Sequence, residues 1–409
     1  MKHVRGLRCR ECGATRPVAP QAACDDCFGP LEVDYDYEAI AAGTSRADIE
    51  RGPHTIWRYA PLLPAPEGER VDIGAGWTPL RAAPRLAAEL GLRKLWLKLD
   101  TANPTHSFKD RVVSVALSVA RSLGYDVAAC ASTGNLANAV AAHAAAAGMT
   151  SHVFVPADLE AAKIAGTTVY GGNVVGIRGS YDDVNRICAQ LAERRRWAFV
   201  NVSFRAFYSE GSKTLAFEVA EQLGWRAPDA AVVPVASGSL LTKFAKGLGE
   251  LTKTGLLAEE SVALHGAQAA GCSPVATAFA GGATDVTPVK PRSIAKSLAI
   301  GDPADGYYAL REVRTRGGSI TSVPEPSVVE GIRLLARTEG VFTETAGGVT
   351  VAALERLVRN GAIARDQETV VLITGTGLKT AEVLGEARPT VEAPPSVDAV
   401  EELLGKETS

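Results

Sequence analysis

Between Gly76 and about Lys379, short apolar runs alternate with stretches whose apolar residues recur every three or four positions. Leu95–Leu99, Val127–Ser132, His152–Val155, Val174–Ile177, Ala198–Asn201, Ala231–Val235, Val262–Ala267 and Thr369–Ile373 read as strands. Helical periodicity covers Val112–Leu117 and ends near Gly124, then returns over Asn135–Ala147, Glu160–Tyr170, Tyr181–Arg194 and Ser212–Leu223. It recurs over Leu240–Thr252, Pro326–Glu339 and Thr350–Asn360, after a Pro-rich interval from Pro274 to Pro303. Strands alternating with helices through short loops predict an α/β fold, with parallel sheets covered on both faces. Such sheets bind ligands beyond the carboxyl ends of their strands, and the chemically distinctive residues of this chain fall at those ends.

The first 38 residues follow another pattern, closing on the alternation Leu31-Glu32-Val33-Asp34-Tyr35. Cys9, Cys12, Cys24 and Cys27 form two Cys-x-x-Cys knuckles with eleven residues between them. That spacing suits tetrahedral thiolate ligation of zinc in a closed, structural site. Disulfides or a redox pair fit a reducing cytosol less well. Residues 39–75 are rich in Pro, Gly and charge and read as an arm and linker, 76–385 as the main body and 386–409 as a tail with an amphipathic piece over Val397–Leu404. Cys130, Cys188 and Cys272 lie in apolar segments and read as buried reduced thiols.

With 46% hydrophobic and 22% charged residues the balance is that of a soluble globular protein, and a net charge of -3 supplies no positive field for nucleic acid. The ribbon's basic residues lack interleaved aromatics, which argues in the same direction. The N-terminus has no apolar signal core. The Ala-rich run Val127–Gly148 is interrupted by Ser132, Asn135, Asn138 and His143, so a strand, a turn and a helix fit it better than a membrane span. A cytoplasmic protein is expected.

Four strand-to-helix turns carry the chemistry. In Asn103-Pro104-Thr105-His106-Ser107-Phe108-Lys109-Asp110-Arg111, Lys109 stands in the first helical turn. Unpaired N–H groups there make a cation unfavourable, so the amine is expected to titrate low and to be nucleophilic towards aldehydes. A solitary lysine of this kind is otherwise a snorkelling surface residue. Ser132-Thr133-Gly134-Asn135 offers hydroxyls and helix-start N–H groups to a carboxylate, or is a plain N-cap. Ala236-Ser237-Gly238-Ser239 lets the backbone close on a phosphate, without the Gly-Lys-Thr of a Walker loop. Thr374-Gly375-Thr376-Gly377 places a hydroxyl at a strand end, suited to a ring nitrogen or simply to a turn.

A lysine nucleophile, a phosphate cradle, a carboxylate cradle and a hydroxyl for a ring nitrogen are what pyridoxal phosphate requires. In their order along the chain, residues from about Gly76 to Lys379 resemble the threonine synthases, in the tryptophan-synthase-β-like (fold type II) group of pyridoxal-phosphate enzymes. The resemblance rests on the Lys109 stretch, on Ala131-Ser132-Thr133-Gly134-Asn135, Glu210-Gly211-Ser212-Lys213-Thr214 and Gly266-Ala267-Gln268-Ala269-Ala270-Gly271. Glu339-Gly340-Val341-Phe342-Thr343-Glu344 and Thr374-Gly375-Thr376-Gly377-Leu378-Lys379 complete it. It implies two doubly wound parallel-sheet subdomains, the smaller about 105–200 and the larger about 76–104 plus 201–385, with the cofactor between them. It also implies an N-terminal zinc ribbon and a homodimer.

By the same resemblance Lys109 condenses with the cofactor aldehyde and then shuttles protons, next to Phe108. Asn135 meets the phenolic oxygen, Ala236, Ser237, Gly238, Ser239 and Leu240 hold the phosphate, and Thr374 faces the pyridine nitrogen. Ser132, Thr133 and Asn135 take the substrate carboxylate. The implied reaction converts O-phosphohomoserine and water to threonine and phosphate by γ-elimination and β-addition. The chain departs from the family pattern in three places. His106 replaces a common glycine, Arg205 in Asn201–Tyr208 is the natural substitute for an Asn and Arg that bind substrate phosphate, and Thr345-Ala346-Gly347-Gly348 replaces a Pro-Ala-Ser. Serine or threonine deamination and β-replacement to cysteine or cysteate use the same lysine and stay open. A regulatory protein on a retired scaffold is opposed by the intact Lys109, Asn135 and Thr374.

Overall fold

The computed structural model describes residues 1–132, 134–157, 159, 161–179, 181–386 and 392–406. Thr133, Glu160 and the start of the tail at Arg388 and Pro389 lie outside the described residues. At the N-terminus, strands β1 (Val4–Cys9), β2 (Thr15–Arg16) and β3 (Leu31–Tyr35) form an antiparallel sheet in the order β2-β1-β3. Leu31, Val33 and Tyr35 are buried while Glu32 and Asp34 are not, as the alternation predicts for a sheet with one face inward.

Strands β4 (Leu80–Ala82) and β5 (Lys94–Leu99) come next, followed by β6 (Val127–Ala131), β7 (Thr150–Pro156), β8 (Asn173–Ile177) and β9 (Ala198–Phe199). The chain then supplies β10 (Ala230–Pro234), β11 (Ala263–Ala269), β12 (Ile320–Val323) and β13 (Glu368–Ile373). The four strands β8-β7-β6-β9 make an all-parallel sheet. The six-stranded sheet has the order β12-β11-β10-β13-β5-β4 and is parallel except for β4, which pairs antiparallel at the edge. Every residue of β10 and β13 is buried, as strands covered by helices on both faces require.

The segment read as a linker is packed. Helices Tyr37–Gly43 and Arg46–Glu50 and the turn Ile56–Leu62 bury Ile40, Ile49, Ile56, Trp57, Tyr59 and Leu62. Arg58 closes a buried pair on Glu221, donating from Nη2 to Oε1 at 2.7 Å. The Pro-rich interval also holds more structure than expected: helix Pro274–Ala280 lies within it, and helix Gly306–Thr315 and β12 follow before residue 325. Helix Thr345–Arg359 starts five residues ahead of the expected Thr350. Gly348 in its first turns serves packing: a Cβ there would come 2.4 Å from the Val328 carbonyl oxygen of helix Glu325–Glu339.

Two buried charge clusters lock the layers. Arg111 donates to Asp100 at 2.7 Å and to Glu218 at 2.8 Å, while Lys98 lies 2.6 Å from Glu218. At the ribbon, Tyr35 donates to Glu210 at 2.9 Å, and Glu210 also receives Lys213, Lys243 and Lys246 at 2.5, 3.1 and 2.7 Å.

Candidate active site

Lys109 opens helix Lys109–Ser122, whose first turn is set by the preceding loop. Asp110 accepts from Thr105 N at 2.8 Å and from Thr105 Oγ1 at 2.9 Å, with His143 Nε2 at 3.1 Å on the same carboxylate. Phe108 N donates to the Thr374 carbonyl at 2.9 Å, Ser107 pairs with Gly375, and Thr376 N donates to the His106 carbonyl at 3.1 Å. The Lys109 and Thr374 turns are therefore bonded directly. His106 adopts a left-handed φ of 61°, which a glycine reaches without strain, and its exposed ring has Nδ1 3.4 Å from the Thr101 carbonyl.

Lys109 Nζ lies 4.3 Å from the Phe108 ring centroid and 5.7 Å from that of Tyr208. Burial pushes its amine down to about 8, and the Glu344 carboxylate opposes that fall. The direction is the expected one, with burial as its leading cause.

Tyr208 is delivered by helix Arg205–Glu210, and Gly211 at its end explains how. A Cβ there would stand 2.4 Å from the Arg111 carbonyl oxygen, so only glycine lets this helix press against the Lys109 helix. At its other end Arg205 donates to Asp305 at 2.7 Å, and Asp305 N donates to the Ser237 carbonyl at 2.8 Å. One short helix thus joins the lysine to the serine-glycine turn.

That turn runs from β10 into helix Ser239–Lys253. Gly238 has a φ of +92°, and a Cβ would lie 2.7 Å from the Asp305 carbonyl oxygen. Ser237 Oγ accepts from Ser239 N at 3.4 Å, Ala236 is partly buried and Leu240 is buried beneath. Backbone N–H groups at a helix start, two hydroxyls and a glycine with no room for a side chain form a donor set that fits a phosphate group.

Asn135 begins helix Asn135–Ala146, after Ser132 at the end of β6, whose Oγ accepts from Gly134 N at 3.3 Å. The Asn135 amide donates from Nδ2 to Glu344 Oε2 at 2.9 Å, and its Oδ1 accepts from Lys379 Nζ at 2.9 Å. Thr374, 3% exposed, follows directly on β13. Glu344, Lys379 and Tyr208 thus join the site without having been assigned roles from sequence. One signal was available for Glu344, an acid at a helix start before a run of small residues. A Cβ on Gly375 would meet Glu344 Oε1 at 2.5 Å, so the glycine of the Thr374 turn makes room for this carboxylate.

Far along the same fold, the sulfur atoms of Cys9, Cys12, Cys24 and Cys27 all lie within 4.8 Å of one another, and all four cysteines are free thiols. Cys130, Cys188 and Cys272 are buried free thiols, as expected. Among the described residues no helix is long and apolar enough to cross a membrane.

Comparison with known proteins agrees with this arrangement. The family model described as "Pyridoxal-phosphate dependent enzyme" matches residues 71–375. A threonine synthase of Methanocaldococcus jannaschii is 38% identical over 375 residues, covering 91% of this chain and 92% of the relative. One of Methanosarcina acetivorans is 36% identical over 403 residues, covering 97% and 98%. Among solved structures, an aspartate racemase dependent on pyridoxal 5'-phosphate superposes with a TM-score of 0.65 at 19% identity, covering 83% of this chain and 98% of that one. Maize serine racemase gives 0.64 at 18%, covering 81% and 94%. These two likenesses establish the shared fold. The chain belongs to the pyridoxal-phosphate-dependent enzymes, in the threonine synthase family.

Proposed function

We propose that this protein is a threonine synthase that converts O-phosphohomoserine and water to threonine and phosphate. The observation that carries the reading is the 38% identity to a threonine synthase across 91% of the chain. The donor set of the serine-glycine turn and the depressed amine of Lys109 support the cofactor half of this reading, which other pyridoxal-phosphate enzymes share.

In this reading Lys109 carries pyridoxal phosphate, with Phe108 against it and Asn135 on the phenolic oxygen. Ala236, Ser237, Gly238, Ser239 and Leu240 hold the phosphate. Thr374 faces the ring nitrogen, and a neutral hydroxyl there does not keep the pyridine protonated. When bound, the cofactor would supply an electron sink that eases loss of one proton from the amino-bearing carbon and one from its neighbour. Lys109 Nζ, about half neutral near pH 8, accepts both protons and returns one to the carbon that loses phosphate and one to the amino-bearing carbon, while water adds to the carbon between them. Ser132, Thr133 and Asn135 orient the substrate carboxylate, and the leaving phosphate is assigned to His106 and Arg205. Tyr208 and Phe108 keep water from the amine.

The same reading gives the cysteine cluster a structural zinc ion, since four thiolates close a tetrahedral shell. It takes the protein as a cytoplasmic homodimer, with the cofactor between the smaller subdomain (about 105–200) and the larger (about 76–104 plus 201–385). The test is phosphate and threonine release from O-phosphohomoserine by the purified protein, with serine and phosphoserine as controls. Phosphate and threonine are expected from the first substrate alone. Absence of phosphate release from it, or faster turnover of serine, would overturn the assignment.

A further inference from the structure

Lys379 has no part in the reading above, yet it sits against the residues that reading depends on. Its Nζ donates to the Thr105 carbonyl at 2.5 Å and to Asn135 Oδ1 at 2.9 Å. The other end of the same amide donates to Glu344 Oε2 at 2.9 Å. An amide has one acceptor end and one donor end, so a cation on the oxygen fixes which end faces the carboxylate. Lys379, Asn135 and Glu344 therefore form a strut with a defined direction, and Lys109 stands beside its acidic end.

The surroundings limit what else bears on these charges. Glu344 is 3% exposed and faces Asn135, Lys379 and Lys109. Lys379 faces Glu344 and, through the Thr105 loop, Asp110, which His143 also contacts. Lys109 faces Glu344 and the Phe108 and Tyr208 rings. Two lysines thus share one nearby carboxylate. Burial pushes the Glu344 carboxyl up, while the Asn135 hydrogen bond and the two ammonium groups pull it down. Removing either cation leaves a buried acid with weaker reason to stay charged.

We propose that Lys379 is a positioning residue: by fixing the Asn135 amide and holding Glu344 as a carboxylate, it sets the charge that Lys109 faces. The assignment rests on Lys109 and Asn135 being the residues named above, and it leaves the identity of the substrate aside. Its consequence has a definite sign. If Lys379 acted on Lys109 only as a like charge, its removal would make Lys109 easier to protonate. If it acts by keeping Glu344 ionised, its removal makes Lys109 harder to protonate.

The experiment measures labelling of Lys109 by acetic anhydride against pH, read by peptide mass spectrometry on full-length protein freed of pyridoxal phosphate. This readout needs neither cofactor nor substrate, so failure of the reaction assignment would leave it standing. Wild type should show a midpoint near 8. Lys379→Met should lower the midpoint by about half a unit or more, and Glu344→Gln should lower it likewise. Where Lys379→Met does not fold, as judged by its melting transition, Lys379→Gln keeps polar contacts without the charge and reads the same quantity. A midpoint that stays put or rises on loss of Lys379, or that does not move in Glu344→Gln, overturns the proposal.

Discussion

The Lys109 pKa is lowered by burial against two rings and raised by one carboxylate, and the burial wins. Phe108 and Tyr208 keep water off the amine, which is why it titrates near 8 even with a carboxylate close by. Lys109→Ala should retain the circular-dichroism spectrum and melting transition of wild type while turnover falls by at least about 10³-fold. Turnover retained in that variant would remove Lys109 from the reaction. Gly375→Ala tests the space behind the site. Its methyl would stand 2.5 Å from Glu344 Oε1, so the carboxylate must move. Stability is expected to drop by about 1–3 kcal/mol in denaturant unfolding, as for an overpacked interior. The strand-to-helix turns that carry Lys109, Asn135 and Ser237–Ser239 stood out in sequence by their residue types, and their assigned roles came from their order along the chain. Glu344 and Lys379 did not stand out, because what gives them meaning is an amide more than two hundred residues away in sequence.

Secondary elements reach the site by close approach, and glycines mark where. Gly211 lets helix Arg205–Glu210 touch the backbone of the Lys109 helix, which sets both Tyr208 over the amine and Arg205 on Asp305. Gly211→Ala should therefore reduce both stability and cofactor affinity, measured by melting and by absorbance titration with pyridoxal phosphate. Loss of stability with unchanged affinity would show that the helix does not position the site. The strand-helix alternation was readable because buried parallel strands are mostly apolar, and β10 and β13 are buried at every position. What escaped was the region where glycine and proline serve packing. Gly348 is helical because the helix Glu325–Glu339 leaves no room for a side chain there, Gly347 because the preceding Thr343 does the same, and β12 is a four-residue edge strand behind a Pro-rich interval. Periodicity carries no record of which element lies opposite.

Across the whole molecule, buried ion pairs join segments far apart in sequence, and their pH dependence has a clear sign. Burial would raise the Glu218 carboxyl, but Arg111 and Lys98 together hold it down at about 2 from an ordinary 4.5. A carboxyl depressed on folding stabilises above its unfolded value, and that contribution is lost as pH falls from about 4.5 towards about 2. Glu218→Gln should therefore flatten the dependence of stability on pH across that acid window, in addition to destabilising the fold at neutral pH. An unchanged slope would remove Glu218 from acid sensitivity. At the ribbon, Cys9→Ser or Cys24→Ser should lower bound zinc and melting temperature more than it lowers turnover of the protein that remains folded. Full zinc occupancy in those variants would overturn the metal assignment.

The ribbon is also fastened to parts of the chain made long after it. Glu11, between the cysteines of the first knuckle, accepts from the Tyr308 hydroxyl at 2.5 Å across 297 residues, and Arg10 stacks on that ring at 3.8 Å. On the ribosome the four-cysteine module is made well before Tyr308, so its seat is incomplete until that later stretch of polypeptide has followed. Termination before Glu210 should therefore leave the ribbon undocked, whereas termination between Lys246 and Tyr308 should keep the Tyr35 and Glu32 contacts and lose only those of Glu11 and Arg10.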